Sequence, residues 1–193
     1  MNKFSLLTLP LFVAFALPAA AEDAPIAEKD HTGFYVGGAI NQVTLDISDS
    51  GESDSESATG FGAYGGYNFN EWFGLEANLF LTTGLGDSEV DVTAGALTFA
   101  PKFTLQFNDT FSGYAKLGVA AISVMADAGF DDVTFSGVGL TYGVGINAAV
   151  SKHLNLRLSY DVTTGDLDSD DYDWIDNIDT DIKQLALGLH YQF

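Results

Sequence analysis

Eight stretches of this chain place apolar side chains at every second position, a period that belongs to strands rather than helices. In "QLALGLHYQF", Leu185, Leu187, Leu189, Tyr191 and Phe193 share one face, while Gln184, Ala186, Gly188, His190 and Gln192 share the other. The runs start near Gly33, Gly60, Phe73, Val92, Phe111, Phe135, Leu154 and Ile182. Their connections alternate in length. After the second, fourth and sixth runs come "NE", "ND" and "SKH", where Asn, Asp or Ser supply tight turns. After the first, third, fifth and seventh come longer polar stretches, the last spanning Thr163 to Asp181. An even strand count with every short turn at one end predicts an all-β, up-and-down antiparallel meander. Closed into an eight-stranded transmembrane β-barrel, it has short periplasmic turns and long outer connections.

Period alone does not say which face turns inward. A soluble barrel would put its apolar face inside and stud the outside with charge. Here the non-apolar faces are mostly small and weakly polar, as in Gly60, Gly62 and Gly66 or Gly137, Gly139, Thr141, Gly143 and Gly145. Such side chains suit the crowded lumen of a narrow barrel. The opposite faces, such as Leu75, Ala77 and Leu79 or Leu156, Leu158 and Tyr160, then meet lipid. A Lys or Arg there would cost about 2–4 kcal/mol near the bilayer midplane, and none stands at mid-strand on that face. Backbone groups in hydrocarbon need internal partners, so the last strand must pair with "GFYVGGAINQV". Phe69, Trp72, Phe73, Phe107, Phe111, Tyr191 and Phe193 fall where an interfacial aromatic girdle belongs. The first and fifth runs alternate imperfectly, leaving their registers and any bulges open.

The first 21 residues read as a secretory signal peptide: Lys3, an apolar run from Phe4 to Leu17, then Pro18 and Ala19-Ala20-Ala21. Residues 22–31 read as a short periplasmic lead and 32–193 as the barrel. Removing Lys3 leaves 27 acidic side chains against 6 Lys and Arg, a charge of −21. There is no cysteine, so disulfides play no part. Yet 47% of residues are apolar, so charge and grease must be segregated along the chain.

Three segments carry a resemblance. "FGAYGGYNFNEWFGLEANLF" resembles the second strand, turn and third strand of the OmpA-like family of eight-stranded outer-membrane barrels. "LRLSYDVTTGD" is similar to that family's seventh strand and "QLALGLHYQF" to its closing one. The resemblance covers roughly Thr32 to Phe193. It implies a cell outer-membrane location of the Gram-negative type and contact with outer-membrane lipid and lipopolysaccharide. It also implies that Phe193, with Tyr191 and Leu189, is the signal read by the barrel assembly machinery. Nothing in the chain resembles a peptidoglycan-binding domain. The family's lumen carries charges that can pair alternately, and Glu76, Arg157 and, approximately, Lys102 match those positions. Asn147 stands where the family pattern would supply a carboxylate. Strand parity turns Glu76, Lys102, Lys116 and Arg157 inward. Three cations against one anion call for water or for help from Asp161 on the same face. These charges either staple the interior or gate a narrow pore for water or small solutes.

The long connections are acidic. Five carboxylates fall between Asp46 and Glu56, three between Asp87 and Asp91, three between Asp127 and Asp132, and nine between Asp161 and Asp181. Three readings stand: a solvated surface suited to salt, divalent cations bridging to lipopolysaccharide phosphates, or an adhesive surface anchored by Tyr172, Trp174 and Ile175. Asp166, Asp168 and Asp170 resemble the opening of a calcium loop, but Asp171 replaces its Gly and Asn177 its closing Glu. Catalysis is not expected: His31 and His153 fall at the short-turn end, and His190 faces the lumen without a nucleophile pattern beside it. No cofactor motif is present, and so negative a surface repels nucleic acid. The expectation is a non-enzymatic integral outer-membrane protein with a structural or surface-interaction role.

Overall fold

The structure, a computed structural model, describes residues 31–49, 52–82, 91–127, 132–169 and 178–193. The expected signal peptide, nearly all of the lead, and Asp170, Tyr172, Trp174 and Ile175 lie outside the described residues. Eight strands follow in chain order: β1 (Gly33–Asp49), β2 (Glu52–Asn68), β3 (Phe73–Thr82), β4 (Asp91–Gln106), β5 (Phe111–Asp127), β6 (Asp132–Ala149), β7 (Leu154–Ser169) and β8 (Ile178–Gln192). Each pairs antiparallel with its sequence neighbour, and β8 closes on β1 from Tyr35↔Gln192 to Ser48↔Asp179. No sheet edge is left open, which hydrocarbon requires.

The short turns are built alike. Asn70 Oδ1 accepts the backbone N–H of Trp72 and of Phe73 at 3.0 and 2.8 Å, and Asn108 Oδ1 accepts those of Thr110 and Phe111 at 2.9 and 2.7 Å. In the third turn, Ser151 Oγ accepts from Leu154 N at 3.2 Å. Each side chain mimics a backbone carbonyl and reverses the chain within a few residues. Beside these turns the rings form a belt, Phe34 to Tyr67 at 4.6 Å, Tyr67 to Phe69 at 5.1 Å, and Phe69 to Phe73 at 5.7 Å. His153 stacks on Tyr191, which meets Phe193 edge-on at 5.2 Å.

At the far end the strands run on past the expected boundaries. β2 begins at Glu52 rather than near Gly60, β6 at Asp132 rather than Phe135, and β8 at Ile178 rather than Ile182. The stretch Asp46–Glu56 is therefore mostly paired strand, continuous to Asp49↔Glu52. Backbone pairing does not need an apolar face, so the ladder continues where the hydrophobic signal stops. The imperfect first and fifth runs conceal no bulge. β1 keeps one register against β2 throughout, and β5 keeps one against β6. The β4–β5 ladder skips Ala100 and Pro101, whose ring carries no N–H, and resumes unchanged at Lys102↔Lys116.

Leu156 and Leu187 lie on the outer surface, 38% and 49% exposed, while Glu76 on the opposite parity is 2% exposed. The apolar face points out.

Candidate functional site in the barrel lumen

Strand parity delivers the inward residues in two layers. The lower layer, nearer the short turns, is centred on Glu76 of β3. Arg157 Nη1 of β7 donates to its Oε2 at 2.7 Å, and Lys116 Nζ of β5 to its Oε1 at 3.0 Å. Tyr35 of β1 donates its hydroxyl to Oε2 at 2.7 Å and accepts from Lys102 Nζ of β4 at 2.6 Å. Lys102 itself stands 3.8 Å from the carboxylate. Asp161 lies 3.1 Å from Lys116. One carboxylate thus gathers charge from three strands besides its own, and a second steadies one of the cations.

These side chains are all buried. Charges taken from water need close partners on every side, and the tyrosines supply part of that. The Arg157 guanidinium carbon lies 4.3 Å from the Tyr64 ring centroid and 4.7 Å from that of Tyr114, within cation–π range. Glycines make room for these groups. A Cβ on Gly145 would come within 2.5 Å of the Tyr114 ring, and one on Gly143 would collide with Asp161 Oδ1. The glycine-rich inner face of β6 is therefore the mould for the cluster. Arg157 Nε donates to Asn147 Oδ1 at 3.0 Å, and Tyr64 and His190 share a contact at 3.2 Å.

Above this layer the lumen turns mostly apolar, with Thr82, Thr141, Thr163 and Thr180 buried beside the apolar groups. Val43, Leu45, Phe80, Ala94, Ala96, Ala120, Ile122, Val124 and Ile182 form one buried cluster, with Ala58 and Phe135 packed against it. Phe80 follows Glu76 by four residues on β3, about 13 Å up the strand at the usual rise. The sequence leads to a lumen of small and weakly polar groups throughout, and here it differs. The signal lay in the imperfect alternation: in β1 the apolar residues change parity, from outward Phe34, Val36 and Ile40 to inward Val43 and Leu45 beside outward Gln42 and Thr44, and in β5 inward Ile122 and Val124 alternate with outward Ala121 and Met125. Tyr35, Tyr64 and Tyr114 escaped the same reading, although each stands at inward parity.

The other expected residues fall apart from this site. Leu189, Tyr191 and Phe193 lie on the outer surface at the short-turn end, all exposed. Asp166 and Asp168 sit in β7, with Asp166 opposite Asp179 and Asp168 opposite Ser136. Among the described residues no three His, Asp or Glu side chains converge as metal ligands.

The fold is shared with solved structures. Neisserial surface protein A aligns with a TM-score of 0.67 at 16% identity, over 84% of this chain and 98% of that one. Ail, the attachment invasion locus protein of Yersinia pestis, gives 0.59 at 21% identity, over 84% and 99%. OprG from Pseudomonas aeruginosa gives 0.55 at 17%, over 86% and 97%. A search of curated proteins finds no match. In sequence, the outer membrane protein beta-barrel domain family matches residues 7–193. With its closed strand order, outward apolar face and aromatic belt, the chain belongs to the outer membrane protein β-barrel domain family.

Proposed function

We propose that this barrel is a closed membrane anchor that presents an acidic surface outside the cell, with a structural or surface-interaction role rather than transport or catalysis. The apolar layer across the upper lumen carries this reading. A pore must offer water or ions a continuous polar path, and the packed cluster of Val43, Phe80, Ile122 and Ile182 interrupts one, leaving the polar groups at that height to buried threonines such as Thr82 and Thr180. Ion pairs beneath it fill most of the remaining bore. In planar bilayers the wild-type protein and Glu76→Gln are both expected to be silent, and discrete openings in either would overturn the reading in favour of a gated narrow pore.

The acidic end supports an outward-facing role. In backbone register Asp127 stands between Asp91 and Asp132, and Asp46 stands opposite Asp181 while its carboxylate ion-pairs with Lys183. Like charges across strands repel, so this surface suits salt, cationic partners or divalent cations shared with lipopolysaccharide phosphates. Ail has been solved with a heparin analogue, sucrose octasulfate; a sulfated ligand of that kind would be repelled here. Export through a cleaved leader and insertion through the closing strand, with Leu189, Tyr191 and Phe193 as the recognised face, complete the proposal. Sidedness is tested by cysteines placed at Ser53 and Asn108 in intact cells. An impermeant maleimide is expected to label the first and spare the second.

A further inference from the structure

Below the ion pairs, the lumen widens into a polar cavity of about 40 Å³ that reaches the short turns. On the same measure about 10–15 Å³ admits one water, so there is room for a small ion with water beside it. Its inner end is Arg157, Lys102 and Asn147; its outer rim carries Glu71 and Asp109, both exposed.

Two observations converge at the inner end. The first is charge. Among the described residues the ion pairs of Lys102, Lys116 and Arg157 are with Glu76 and Asp161, one formal positive charge in excess when all five groups are ionised. The second is an orphaned donor. Arg157 is 4% exposed, and its Nη2 has no hydrogen-bond acceptor among the described residues. In a guanidinium, Nε–H and one N–H of Nη2 point along the same edge, spaced to fit two oxygens of one anion. Nε is met by Asn147 Oδ1 at 3.0 Å. An amide has a single oxygen, and the Asn147 amino group is turned to Ser112 Oγ at 3.3 Å. Asn147 therefore satisfies half of an edge that a carboxylate would satisfy whole. Asn147 and Arg157 both line the cavity.

The geometry points to a binding site for one small monovalent anion, a halide or a formate-sized carboxylate, held at the Nη2 corner of Arg157 with Lys102 nearby and reached from the short-turn end. Water would satisfy the donor but bring no negative charge to the layer. The apolar layer above makes the site a dead end, loaded and emptied from one side only.

The test uses the full barrel refolded in detergent. Gluconate is exchanged for chloride or for formate at constant sodium concentration and ionic strength, so that the acidic outer end sees no change of cation. The wild-type melting temperature is expected to rise saturably, by about 3–6 °C for a tenfold excess over Kd. Comparing the two exchanges tells halide from carboxylate. Asn147→Asp builds the second oxygen and the missing charge into the wall. Its melting temperature is expected to lie at or above that of anion-loaded wild type and to ignore the exchange. In wild-type crystals soaked in bromide, anomalous scattering is expected within hydrogen-bonding reach of Arg157 Nη2, a readout that stands even where the variant does not refold. Ordered water without bromide at that position, or an Asn147→Asp protein that responds as wild type does, overturns the site.

Discussion

The two layers of the lumen solve the same filling problem with opposite chemistry. Below, Glu76 is held by Arg157, Lys116 and Tyr35, each at 3.0 Å or less. Above, Phe80 and Ile182 are each 1% exposed and touch apolar neighbours. The charged layer is directional: each group is costly alone and stable only with its partners. The apolar layer is non-directional and loses stability in proportion to the volume removed. The difference shows that lumen polarity in a narrow barrel is chosen layer by layer, since only the outer face must obey the membrane.

That contrast can be broken most forcefully at Glu76. Glu76→Gln leaves three buried cations around a neutral amide and is expected to cost about 3–5 kcal/mol in urea unfolding from lipid vesicles. A loss below about 1 kcal/mol would mean that the cations find water instead. Next in size, Ile182→Ala in the apolar layer is expected to cost about 2–5 kcal/mol, with no gain of conductance, because the ion pairs still block the bore. Between the layers, Thr163 donates its hydroxyl to Thr141 at 3.1 Å. Thr163→Val removes that one donor and should cost about 1 kcal/mol. Smallest of all should be the coupling. Glu76→Gln and Ile182→Ala share no contact, so the double mutant should equal the sum of the singles within about 0.5 kcal/mol. A larger coupling would make the lumen one cooperative core rather than two layers.

Much of this was legible in the sequence, for reasons that mark where the rest was not. The outer face is under a strict rule, apolar at every second residue, as in Phe73–Leu81 or Leu185–Phe193, so strand number, closure and short turns could be read from the eight runs and their connections. Inward parity then singled out Glu76, Lys102, Lys116 and Arg157, because a charge inside a membrane strand has few places to go. The lumen itself obeys no such rule. Val43 and Ile122 broke the alternation and read as uncertain register, when they were recording an apolar patch on the inner face. The tyrosines around Arg157 were hidden by the same looseness, since a ring at inward parity has no signature apart from the glycines that admit it. The far ends of the strands were missed because Asp, Ser and Glu carry no periodic hydrophobicity, although their backbones pair without interruption.

The overrun of β1 and β2 has a mechanical consequence. At about 3.3 Å per residue and a tilt of about 40°, a strand of this length rises roughly 40 Å, against an apolar band of about 25 Å. The surplus stands clear of the headgroups as a cross-linked ribbon rather than a slack tether. Any macromolecule meeting it would engage a pre-stiffened post, forfeiting little freedom on contact.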